Sequence, residues 1–121
     1  MAKLTSLKPI LYTKQILETI EFYTNVLDFT CVAYEQEGGW ASIIKDGIEI
    51  MFAYPNEHMP FEEAVFTGSF YITTDNVDAL WKQWKDKCKV CYPIDDFDYG
   101  MREFALYDNN GYLLQFGQPL N

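Results

Sequence analysis

The feature that most limits the fold of this chain is an internal repeat, because its two halves can be laid over each other at an offset of about sixty residues. Lys8-Pro9-Ile10-Leu11-Tyr12 matches Ser69-Phe70-Tyr71-Ile72-Thr73, and Ile16, Ile20 and Tyr23 match Val77, Trp81 and Trp84. Towards the end of each half, Asp46-Gly47-Ile48-Glu49-Ile50-Met51-Phe52 matches Asn110-Gly111-Tyr112-Leu113-Leu114-Gln115-Phe116. A chain of 121 residues is large enough for one core but not for two independent ones. The repeat therefore predicts one domain over residues 1–121, made of two small modules (about 5–54 and 67–118) joined by a linker over 55–66.

The element order is the same in each half. Residues 5–13 read as a strand, with Pro9 marking an edge position. Over 15–27, Ile16, Ile20, Tyr23 and Leu27 fall at helical spacing. Strands follow over 30–35, 40–45 and 48–54, with Gly38-Gly39 and Asp46-Gly47 as turns, the latter suited to type I′. In the second half a strand over 67–73 leads to a helix capped by Asp75 or Asn76, carrying Val77, Leu80, Trp81, Trp84 and Cys88 on one side. Strands over 90–92, 101–107 and 112–117 complete it. The expected fold class is α+β: two tandem βαβββ modules, each a helix on one face of a four-stranded mixed sheet, the other faces curling to enclose a cleft.

Composition narrows the function. A net charge of −9 argues against nucleic acid or anionic membrane as partner, since both require clustered Lys and Arg. It is compatible with a cationic ligand, and more readily with a solubilising surface. Nine Tyr, nine Phe and three Trp exceed what a core of this size needs, which points to aromatic binding surface. The first residues lack an apolar segment of the secretory kind, so the expected location is the reducing cytoplasm. Cys88-x-x-Cys91 has no second pair beside it and is read as structural rather than as a metal or redox site.

The string Glu21-Phe22-Tyr23-Thr24-Asn25-Val26-Leu27-Asp28-Phe29 resembles the end of the first helix in the vicinal oxygen chelate superfamily, which includes glyoxalase I, extradiol dioxygenases and bleomycin-resistance proteins. Asp75-Asn76-Val77-Asp78-Ala79-Leu80, Tyr99-Gly100-Met101-Arg102-Glu103-Phe104 and Asp108-Asn109-Asn110-Gly111-Tyr112-Leu113-Leu114-Gln115-Phe116 resemble its second-half signatures. The resemblance covers about residues 5–118. It implies the glyoxalase/bleomycin-resistance-like fold, a homodimer, and a divalent metal held by His, Glu or Gln on the first and last strand of each module. Carried onto this chain, those four positions are Lys8, Met51, Ser69 and Gln115. An ammonium repels a cation, a thioether is too soft for hard metals, and a serine hydroxyl is a poor neutral ligand. Only Gln115 is of a permitted type, so neither a metal nor another cofactor is expected. The single histidine, His58, lies in the linker and is read as solvated.

Without the metal, the resemblance is greatest to the bleomycin-resistance branch, whose members bind and sequester a drug without transforming it. The expected partner is a small cationic or aromatic molecule. The expected ligand-binding residues are Lys8, Tyr12, Trp40, Glu49, Met51, Ser69, Tyr71, Phe97, Tyr99, Met101 and Gln115, with Asp95, Asp96 and Asp98, together with Glu62 and Glu63, supplying negative charge at the rim. No catalytic residue is assigned. Three alternatives stay open. Glu49 could serve as general base in a metal-independent isomerase, or pair with Lys8. The chain could be a lyase or dioxygenase with an atypical ligand set, or a module reporting ligand occupancy to another protein. Alternation along the strand sends only one of Arg102 and Glu103 towards the cleft, and an ion pair holding the loop after Tyr99 is expected of them.

Overall fold

The computed structural model describes residues 2–56 and 61–121, so His58, with Glu57 and Pro60 of the linker, lies outside the described residues. The chain divides into two compact units, Met1–Glu62 and Glu63–Asn121. The first contains β1 (Ile10–Tyr12), α1 (Ile16–Asn25), β2 (Thr30–Glu35), β3 (Trp40–Lys45) and β4 (Ile48–Ala53). The second contains β5 (Phe70–Thr73), α2 (Val77–Trp84), β6 (Lys89–Phe97), β7 (Met101–Tyr107) and β8 (Leu113–Pro119). The strand orders are β1-β4-β3-β2 and β5-β8-β7-β6. In each sheet the first strand runs parallel to the last and the remaining pairs are antiparallel. These are two βαβββ modules with mixed sheets, as the repeat requires.

The repeat extends to individual bonds. After β1 the Thr13 N–H donates to the Ala53 carbonyl at 3.0 Å, and after β5 the Thr74 N–H donates to the Gly117 carbonyl at 2.9 Å. Each bond fixes the chain to its parallel partner just before the crossover helix. On α1, Ile16, Thr19 and Tyr23 are buried one turn apart, and Tyr23 packs on Phe52 of β4 with ring centroids 5.1 Å apart. On α2, Trp84 packs on Phe116 of β8 at the same 5.1 Å. Burying a large apolar side chain contributes about 1.5–3 kcal/mol. Trp84 gives part of that back, because its buried indole N–H has no acceptor among the described residues.

The two helices start differently. Asn76 caps α2, its side chain accepting the Ala79 N–H at 3.2 Å, while Gln118 on β8 accepts the Val77 N–H at 2.9 Å. Gln15 before α1 makes no such side-chain bond; instead its own N–H donates to the Thr13 hydroxyl at 3.0 Å. No helix among the described residues is long and apolar enough to cross a membrane.

Several expected boundaries move, each for a local reason. The first strand covers 10–12 rather than 5–13, because only Ile10, Leu11 and Tyr12 have ladder partners on β4 and the exposed Leu7 ahead of them has no core face to hold it to the sheet. The fifth covers 70–73 rather than 67–73, because Gly68 turns back to donate to the Phe66 carbonyl. The sixth runs on through Pro93 to Phe97 instead of stopping at Tyr92. Pro93 is tolerated because β6 is an edge strand and its register shifts there. The last strand covers 113–119 rather than 112–117, since it pairs on to Arg102 and Met101. Helix α2 ends at Trp84, so Cys88 is not on its apolar side. Asp46 has a positive φ of 53° but Gly47 does not, so this turn is not type I′.

Candidate functional site

Strand alternation and register decide which side chains face away from each helix. In the second sheet, Tyr71, Gln115, Ala105 and Tyr92 form one cross-strand row, and Thr73, Gly117, Glu103 and Asp95 the next. Met101 and Phe97 begin the row beyond. All lie opposite the face that carries Phe104 and Phe116 and packs on α2.

At the centre of this face is Glu103, a carboxylate with no exposed surface. No Lys or Arg among the described residues is ion-paired with it. Tyrosine hydroxyls surround it instead. Tyr71 donates to Oε1 at 2.8 Å and Tyr92 donates to Oε2. Tyr99, in the turn after β6, lies near enough for the same carboxylate to act on its hydroxyl. Burial and then Glu103 push the Tyr71 hydroxyl well above its ordinary value, and the same causes push Tyr92 up to about 12, with Gln115 opposing. Tyr99 is raised by burial first and by Glu103 next. Glycine makes the Tyr71 contact possible. To reach β7 from β5 the ring must pass over β8, and a Cβ on Gly117 would lie 2.1 Å from the Tyr71 hydroxyl.

The network continues outward. The Gln115 amide Nε2 donates to the Tyr92 hydroxyl at 2.8 Å, and the Ser69 hydroxyl donates to Gln115 Oε1. Phe97 stacks on Tyr99 with ring centroids 5.6 Å apart and an interplanar angle of 17°. The arrangement is a buried anion beneath a set of aromatic rings, which suits a cation with an aromatic or apolar body.

In the first sheet the face opposite α1 carries its own carboxylate. Glu49 accepts the Ser42 hydroxyl at 2.5 Å and pairs with Lys8 at 3.5 Å. The Ser42 hydroxyl, with Lys8 adding to it and burial opposing, holds Glu49 below its ordinary value. That makes it a weak base and a good permanent anion. Tyr12 and Trp40 stand on either side of Ala53, and Met51 lies opposite Ser42.

The eleven expected residues thus fall into two sets. Lys8, Tyr12, Trp40, Glu49 and Met51 gather on the first sheet, and Ser69, Tyr71, Phe97, Tyr99, Met101 and Gln115 on or beside the second. Glu103, Tyr92 and Ser42 complete the polar groups and were not among them. Of the rim aspartates, Asp96 is drawn away: Arg102 points to the helix side and pairs with Asp96 at 2.9 Å and with Asp78 of α2 at 3.0 Å. The expected ion pair is therefore Arg102's, and Glu103 is the member of the pair on the other face. Burial pushes the Cys88 thiol up to about 11, which leaves little thiolate at neutral pH.

A family model, Glyoxalase/Bleomycin resistance protein/Dioxygenase superfamily, matches residues 5–116. The chain belongs to this superfamily. Among solved structures it is similar to TioX from Micromonospora sp. ML1, with TM-score 0.77 and 17% identity, covering 96% of this chain and 99% of that one. It is also similar to a member of the superfamily from Sphaerobacter thermophilus, with TM-score 0.79 and 14% identity, over 95% of this chain and 98% of that one. A superfamily protein from Nocardioides matches with TM-score 0.77 and 15% identity, over 100% and 87%. At these identities the likeness is one of fold. No curated protein sequence matches the chain.

The superfamily's divalent metal can be tested against the residues at its four positions. Lys8 is a cation committed to Glu49, and Met51 offers only a thioether. The one suitable donor atom, Gln115 Oε1, is already engaged by Ser69. Among the described residues no three His, Cys, Asp or Glu side chains are grouped to hold a metal ion. This donor set does not fit the superfamily metal.

Proposed function

We propose that this superfamily member is a small-molecule binding protein of the bleomycin-resistance type, taking a cationic, aromatic ligand without a metal. The observation that carries the reading is Glu103: a fully buried carboxylate with tyrosine hydroxyls around it and no cationic side chain to balance it. Burying such a charge is costly unless it is compensated, and a bound cation supplies the missing charge. Tyr71, Tyr99 and the Phe97 ring stacked on Tyr99 provide aromatic faces for the rest of the molecule.

Isothermal titration with bleomycin and a panel of cationic aromatics tests this, with Glu103→Gln as the comparison. Binding in the micromolar range to at least one compound, weakened by Glu103→Gln, is expected. Absence of heat with every compound, together with turnover of a metabolite, would replace the reading with an enzymatic one. The working assembly is taken to be a homodimer, as the family resemblance implies; sedimentation equilibrium checks it, and a monomer at all concentrations would remove it.

A further inference from the structure

The hydrogen-bond network on the second sheet has a direction, and that direction limits what the face can bind. A carboxylate can only accept hydrogen bonds. Tyr92 must therefore spend its one hydroxyl proton on Glu103, leaving its oxygen to accept from Gln115. Gln115 must then turn its NH2 group towards Tyr92 and its carbonyl oxygen towards Ser69. Ser69, facing a carbonyl, must donate. Tyr71 spends its proton on the other carboxylate oxygen. One buried charge thus orients each hydroxyl proton from Ser69 inward, and each bond polarises the next.

Ser69 and Tyr71 are the exposed members of this network. With their protons committed, their oxygens offer lone pairs alone. The exposed hydroxyls of this network are acceptors, although hydroxyl groups as such can both donate and accept. We propose that this face selects a ligand bearing N–H donors, namely a protonated amine, amidine or guanidine, over a quaternary ammonium and over any anion. The inference rests on the binding reading above and narrows its ligand class. Charge and aromatic stacking would serve a quaternary ammonium equally well. Only the proton arrangement separates the two.

Three probes of similar size separate the possibilities: benzamidinium, phenyltrimethylammonium and benzoate, titrated into the full chain and followed by the backbone amide shifts of Ala105 and Gly117. Benzamidinium is expected to bind at least about tenfold more tightly than phenyltrimethylammonium, since a site built to hydrogen-bond a group rejects an analogue without it. Benzoate is expected not to bind. In Glu103→Gln the new amide offers its own N–H groups, Tyr92 is free to turn, and Ser69 is released. The preference for benzamidinium should then fall towards unity. Equal wild-type affinities for the two cations would overturn the donor preference and leave the binding reading intact. Failure of all three probes to shift these amides would remove the binding reading itself, and this inference with it. The wild-type ratio decides without any variant, so poor folding of Glu103→Gln would not blur the outcome.

Discussion

Gly117→Ala gives the sharpest test of the tyrosine–carboxylate arrangement, because ordinary strand energetics and the local geometry demand opposite signs. Gly117 lies within β8 and its φ is not positive, so its backbone accepts any residue. Alanine at such a position normally stabilises by about 0.4–1 kcal/mol, through the entropy removed from the unfolded chain. Here the added Cβ falls 2.1 Å from the Tyr71 hydroxyl oxygen and 2.7 Å from Cζ. Ordinary contact needs more than about 3.4 Å, so the ring must swing away and its 2.8 Å bond to Glu103 is lost. Hydrogen bonds to charged groups are worth about 1.5–3 kcal/mol. Tyr71 is 43% exposed, which favours the lower half of that range. The balance is a net loss of about 0.5–2 kcal/mol. With a urea m-value of about 2 kcal/mol/M, the midpoint should fall by roughly 0.25–1 M. In a Tyr71→Ala background the obstacle is gone, and Gly117→Ala should become neutral or stabilising. A neutral or stabilising effect in the wild type, or a loss of the same size in Tyr71→Ala, would refute the reasoning.

The tyrosines also make an alkaline prediction. A group whose folded value lies above its ordinary 10 contributes stability that is complete below pH 10 and disappears as the pH climbs through the folded value, about 12 for Tyr92. Phenolate absorbance should therefore show late-titrating tyrosines, and Tyr92→Phe should remove one of them and make the loss of stability between pH 10 and 12 shallower. Glu49 behaves in the opposite sense: held below its ordinary 4.5, it contributes above that pH and stops contributing as the pH falls through its lower folded value. Ser42→Ala should raise its carboxyl titration more than Lys8→Met does, as read by carboxyl carbon shifts; the reverse order would make the ion pair the stronger influence. Elemental analysis of protein purified without chelator should find no stoichiometric divalent metal, and metal that is lost in Gln115→Ala would overturn the mismatch at the four positions.

The modules were legible in the sequence because the repeat acts on packing partners, not on single residues. Tyr23 and Trp84 share no chemistry beyond an aromatic ring, yet the overlay that pairs them also pairs Phe52 with Phe116. The structure brings each helix residue against its own sheet residue at 5.1 Å. Boundaries were less legible where tertiary context overrode a local rule. Pro93 reads as a strand terminator, and only the edge position of β6 with its shifted register shows why it is not.

The candidate site was legible as a set of positions and not as a network. Alternation alone puts Tyr71, Gln115 and one of Arg102 and Glu103 on a single face. Choosing between the last two requires knowing that β7 is read from Phe104, which packs under Trp81 of α2. Once Phe104 faces the helix, Glu103 must face away from it and Arg102 must join Asp78. The buried carboxylate then follows from one core contact. What no spacing could supply is the reach of Tyr71 across β8. That depends on the missing side chain of Gly117, a position whose counterpart in the first module, Ala53, carries the Cβ that would block it. The two modules share a backbone plan, but the first has Ile10 in place of Tyr71 and Ala53 in place of Gly117, so only the second holds its open-face carboxylate by a tyrosine from its first strand.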